Sequence, residues 1–152
     1  MTRKISVARL FQRPLIERVR RLCLAFPETH EAMSWGHPNF LAGKKTFCAF
    51  EIVTGRPSIA FRLSPADVDA FLRRPNFFAT PYGRGLWVSA WADTRLSWTL
   101  MKKLLDCSYR LVANKRMVRA LDASRRAENG EPRSVNDRFT TRIITSPSPP
   151  CR

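Results

Sequence analysis

Apolar residues recur at helical spacing near both ends of the chain and at strand spacing between them. Leu15, Val19, Leu22 and Phe26 lie three and four positions apart, so residues 14–26 are expected to form a helix with one apolar face. Pro14 suits its first turn, where a missing N–H is no loss, and Pro27 ends it. Residues 40–42 and 46–53 flank Gly43-Lys44 and predict a β-hairpin. In its second arm Phe47, Ala49 and Glu51 alternate with Cys48, Phe50 and Ile52, which makes one face more apolar than the other. Residues 58–63 follow a Gly55-Arg56-Pro57 turn as a third strand. Residues 86–91 follow the 81–85 turn as a fourth, and residues 31–35 are a further candidate.

Two helix starts carry their own signals. Ser64-Pro65-Ala66-Asp67 offers an N-cap hydroxyl, a first-turn proline and an acid at the positive dipole end, predicting a short helix that stops before Pro75. Ser97 caps the next helix. Trp98, Met101, Leu104, Leu105, Tyr109 and Val112 share one of its faces, and Lys102, Lys103, Asp106 and Arg110 share the other. That pattern holds to Ala113, and a basic segment at 115–120 is a candidate extension. The expected fold class is α+β, an antiparallel sheet flanked by N- and C-terminal helices with a short helix inserted.

Composition sets the boundaries. At 152 residues, with 44% hydrophobic and 26% charged positions, the chain suits one globular domain. Residues 1–13 read as a basic extension and 14–121 as the folded domain. Beyond 122 Ser, Arg and Pro dominate, and such a segment buries too little surface to offset its ordering entropy, so 122–152 is expected to be a flexible tail. No apolar run approaches the roughly 20 residues of a membrane span. The four cysteines form no CxxC pair and read as reduced thiols of a cytoplasmic protein.

Charge then changes the picture. The formal net charge is +15, and residues 1–21 and 114–152 supply most of it, leaving +4 on the middle of the chain. A field of that sign favours polyanions, with DNA the expected partner and no membrane partner. The expected phosphate contacts are Lys44 and Lys45 at the hairpin tip, Arg84 between two glycines, and Lys115, Arg116 and Arg119 after the long helix. Solvated turns and cations stabilising a helix C-terminus are the ordinary uses of the same residues.

Catalysis finds no foothold in the sequence. There are two histidines, no ligand-spaced metal cluster and no GxxxxGK[ST] phosphate loop, so neither an enzyme, a metal nor a cofactor is expected. The alternative to DNA binding is a small-molecule or protein-interaction pocket built from Trp35, His37, Tyr82 and Trp87. Trp35-Gly36-His37-Pro38 has a structural reading too. Gly36 permits an unusual backbone angle, Pro38 fixes the next, and His37 satisfies a buried backbone group.

Three blocks in order carry a resemblance. VRRLCLAFPETHEAMSWGHPNFLAGKKTFCAF, TPYGRGLWVSAW and SWTLMKKLLDCSYRLVANKRM together resemble the MmcQ/YjbR-like family. The shared features are an arginine-bearing first helix ending in proline, Trp-Gly-His-Pro, a Tyr-Gly-x-x-Gly loop, and Ser-Tyr-x-x-Val-Ala before a Lys-Arg pair. The match spans roughly residues 15–118. It implies a compact α+β fold similar to the bacterial frataxin-like fold and membership of a group described as DNA-binding. Asn114 stands where the family often has proline, which implies a longer final helix here.

Overall fold

Tight turns set the first half of the sheet. Trp35 and Gly36 both have positive φ, 56° and 78°, and link β1 (Thr29–Ser34) to β2 (His37–Ala42) with Ser34 paired to His37. This is a two-residue turn of the type whose twist matches paired strands. Gly43-Lys44 joins β2 to β3 (Lys45–Val53), and Thr54-Gly55 joins β3 to β4 (Arg56–Arg62). The computed structural model describes residues 13–130. Its helices are α1 (Arg13–Leu24), α2 (Pro65–Leu72), α3 (Trp98–Val112) and α4 (Lys115–Glu128). With β5 (Phe77–Ala79) and β6 (Trp87–Trp91), the strands form one antiparallel sheet in the order β1-β2-β3-β4-β6-β5.

The expected α+β class holds, and most elements fall within a few residues of their predicted places. Ser64 and Ser97 cap α2 and α3 as expected, each accepting from a backbone N–H three residues on. The short strand β5 was not foreseen. Two boundaries also differ. The long helix does not run through Asn114. Ala113 is extended at ψ 147°, and the Asn114 side chain accepts from the Met117 N–H to start a new helix. Residues 122–128, read above as the start of the tail, are the last two turns of α4. They hold there because Leu121 is buried, while Arg110 pairs with Asp122 and Arg125 with Asp106 across the two helices.

The two faces of the sheet differ in chemistry. Cross-strand partners share a face. Cys48–Phe61–Val88 and Phe50–Ile59–Ala90 make one apolar row after another, and α3 packs on β3 and β4. Phe26, Phe47 and Tyr109 lock the helices to this layer, with Phe26 stacked on Tyr109 at 4.5 Å and the Tyr109 hydroxyl donating to the Pro27 carbonyl at 2.8 Å. Each buried phenylalanine contributes about 2 kcal/mol of transfer free energy. Arg18 lies over the Trp98 ring at 3.9 Å and Arg20 grips Glu31 through two hydrogen bonds, which fixes α1 against α3 and β1.

The other face carries Ala49–Ala60–Ser89 and Glu51–Ser58–Trp91. These are small or polar residues, yet all but Trp91 are buried. The β5–β6 connection accounts for it. Thr80 hydrogen-bonds Ser89 at 2.8 Å, Phe78 stacks on Trp91 at 4.1 Å, and Tyr82 reaches Glu51. Gly83 has φ +100° and lies so close to Trp87 that a Cβ there would come within 2.3 Å of the indole.

Candidate functional site

Two open pockets lie at opposite ends of the sheet. The first, about 470 Å³, sits beside the β1–β2 turn and is lined by Trp35, His37, Asn39, Glu51, Ile52 and Tyr82 among others. Local structure sets each of these. The 35–36 turn holds the Trp35 indole out in solvent at 95% exposure, and this costs backbone strain because a bulky residue at positive φ is unfavourable. His37 and Asn39 point the same way along β2, and Asn39 donates to the His37 carbonyl at 3.0 Å. Glu51 enters from the central strand β3.

Glu51 is the anomaly. The residue is only 7% exposed, and its Oε2 has no hydrogen-bond partner. Among the described residues it also has no ion-pair partner, although these residues include twenty lysines and arginines. Burial pushes its carboxyl above the usual range, and a hydrogen bond from the Tyr82 hydroxyl pulls it partly back. Burial and the Glu51 charge raise the Tyr82 phenol in turn. Burial lowers the His37 imidazole, whose Nδ1 is also buried without a partner. The expected role of His37 as donor or acceptor to a buried backbone group is therefore not filled by Nδ1. Among the described residues no three His, Cys, Asp or Glu side chains come together as a metal site.

The second pocket, about 420 Å³, is lined by Lys45, Thr46, Arg62, Trp87, Leu111 and Val112. Its position follows from register. Arg62 pairs with Trp87 at the end of β4 where β3 begins with Lys45, and the C-terminus of α3 closes over it. The Arg62 Nε is buried and has no hydrogen-bond partner. Around this end the chain gathers more positive charge. Lys44 lies in the β2–β3 turn, whose Gly43 N–H donates to the Glu28 carbonyl at 3.2 Å, and the Glu28 carboxylate holds Arg116 at 2.8 Å. Lys115 opens α4 beside it, Arg119 is one turn on, and Arg84 tips the β5–β6 loop at the same end of the sheet.

The sequence-chosen residues thus divide between the two places. Trp35, His37 and Tyr82 share the first pocket, whereas Trp87 lies in the second. Trp87 and Trp91 sit on one face, but three residues of strand separate them, so Trp87 reaches only the far end. Lys44, Lys45, Lys115 and Arg116 come together, and Arg116 is already held by Glu28. Sequence reasoning missed Glu51 and Arg62. The available signal was the small-polar face formed by Ala49, Glu51, Ser58, Ala60 and Ser89, which needs a cover to be buried.

The free charge is larger on the folded part than the segment totals imply. Residues 13–130 hold 20 of the 27 basic residues and 10 of the 12 acids, a net of +10. Six of those acids (Glu17, Glu28, Glu31, Asp93, Asp106 and Asp122) are engaged by arginines. No described helix is long and apolar enough to cross a membrane.

Comparison with known proteins agrees with this architecture. A sequence family described as YjbR matches residues 24–111. A crystal structure of a Pseudomonas syringae protein superposes with a TM-score of 0.56 at 12% identity, covering 63% of this chain and 97% of that one. A Deinococcus radiodurans protein with a DUF419 domain gives 0.56 at 19% identity, covering 80% and 92%. At these identities the likeness is one of fold. No curated protein matches the sequence.

Proposed function

The chain belongs to the YjbR family, and we propose that it binds DNA without catalysis, through phosphate contacts at the Lys45 end of its sheet. The observation that carries this reading is the Lys45–Arg62 pocket, where a buried guanidinium Nε has no partner. A phosphate is a natural partner for the Arg62 guanidinium that lines this pocket, since charge-assisted bonds to Arg are strong and geometrically specific. Lys44, Arg84, Lys115 and Arg119 flank the same end and have no ion-pair partner among the described residues, so they are free to neutralise neighbouring phosphates. Arg116 contributes less, because Glu28 already holds it. No base-reading element is evident in this arrangement, so the binding is to the backbone and tolerant of sequence.

Fluorescence anisotropy of the full chain with a labelled 20-base-pair duplex tests it. Binding to about four phosphates gives a log–log salt slope of about −3.6. The Lys45→Ala/Arg62→Ala variant should lose about 1.8 units of that slope's magnitude. A variant whose affinity and slope match the parent would remove the folded domain from the reading.

A further inference from the structure

We propose that the pocket between the Trp35 turn and Tyr82 is a binding site for a small organic cation, an ammonium or amidinium carried on an apolar or aromatic body. Glu51 carries the argument. Glu51 lines the cavity while one of its carboxylate oxygens is buried without a partner, a cost in free energy that a ligand cation beside the carboxylate would relieve, because charge attraction is strong where water is scarce. Six other acids of the described residues are held by arginines, whereas among the described residues no cation is paired with this one. Tyr82 supplies a hydrogen bond to the carboxylate but leaves its charge without a cation. The unpartnered His37 Nδ1 offers a second polar contact.

The rest of the pocket suits the apolar part. Ile52 supplies an aliphatic wall, and Trp35 presents a full aromatic face at the rim. An indole face attracts cations and stacks on flat rings. The β1–β2 turn holds Trp35 outward at positive φ, a conformation that a bulky residue adopts at a cost in strain. With one histidine and one carboxylate in the cavity, the donor set is too small for a resident metal ion. The site lies at the far end of the sheet from Lys45 and Arg62, so its ligand and DNA need not compete.

Isothermal titration calorimetry of the full chain with three probes of one shape tests the proposal. The probes are phenethylamine, 2-phenylethanol and phenylacetate. Phenethylamine should bind at least tenfold more tightly than the alcohol, and phenylacetate should show no heat. Glu51→Gln should remove the preference for the amine, and Trp35→Ala should weaken it about fivefold. Trp35 is exposed, so that variant reports on binding independently of any repacking at the buried Glu51 position. Lys45→Ala/Arg62→Ala should bind phenethylamine like the parent. Equal affinity for amine and alcohol, unchanged binding by Glu51→Gln, or no heat from phenethylamine at millimolar concentration would each overturn the proposal.

Discussion

The two ends of the sheet present opposite problems in electrostatics. At one end Arg62 keeps a buried Nε without a partner, surrounded by further cations. At the other Glu51 keeps a buried carboxylate oxygen without a partner, surrounded by aromatic and polar neutral groups. In the rest of the described chain, ionised groups are paired on the surface or exposed to water, as the cost of burying charge demands. The contrast teaches that net charge is a poor guide to what a site will take. A protein with a formal charge of +15 holds a site suited to a cation, because local burial and partners outweigh a distant and screened field.

Reversing charge at the basic end should have the largest effect on that comparison. Lys45→Glu/Arg62→Glu is expected to weaken duplex binding about 100-fold at 50 mM salt, because two phosphate contacts become repulsions. Glu51→Gln should leave the same affinity unchanged in the same anisotropy titration. Equal losses from both would show that the ends act together.

The β5–β6 loop serves both ends, since Tyr82 and Trp87 flank Gly83 and Arg84. Gly83→Ala is therefore expected to disturb both pockets at once. It forces a residue with a Cβ to φ +100° and into contact with the Trp87 indole, at a cost of about 2–3 kcal/mol. Urea denaturation measures that loss, and a cost below about 0.5 kcal/mol would mean that the loop is not anchored on Trp87.

Glu51 gives a stability test of the acidic pocket. Its folded carboxyl is raised by burial. The folded protein therefore holds that proton more tightly than the unfolded chain does. The stabilisation is complete below the unfolded value of about 4.3 and is lost as pH rises through the folded one. Glu51→Gln should consequently raise stability at pH 7 by about 1 kcal/mol and bring no gain below pH 4, measured by denaturant unfolding at each pH. A gain that does not vary with pH would assign the effect to packing.

The smallest effect is expected at the turn. Trp35→Asn places a residue tolerant of positive φ at the first turn position. It should raise stability by about 0.5 kcal/mol, read as a small increase in the urea midpoint, while weakening the amine-binding pocket. A loss of stability would mean that the indole supports the fold.

Element type was largely written locally. Ser64 and Ser97 mark helix starts because an N-cap hydroxyl satisfies orphan N–H groups within its own turn. The Gly43-Lys44 hairpin and the apolar stripe of α3 are equally local. The length of α4 was not legible, since residues 122–128 are polar and are held by ion pairs to α3 that spacing alone does not reveal. The grouping of aromatic site residues was half legible. Trp35 and His37 are neighbours by sequence, while Tyr82 joins them only because the β5–β6 loop reaches back to Glu51 on β3.

By itself, then, the sequence determined the α+β class, the placing of most helices and strands, and the excess of positive charge. These depend on periodicity, caps and counts, which are properties of short stretches or of sums. Tertiary structure alone decided that Glu51 is buried and unpaired, that Arg62 is its counterpart at the opposite end, and that Trp87 and Trp35 serve different pockets. Burial and partnership depend on which distant segment covers a strand face. On the alternation pattern Glu51 reads as an ordinary solvent-facing residue, and only the fold buries it and brings the Tyr82 hydroxyl to its carboxylate.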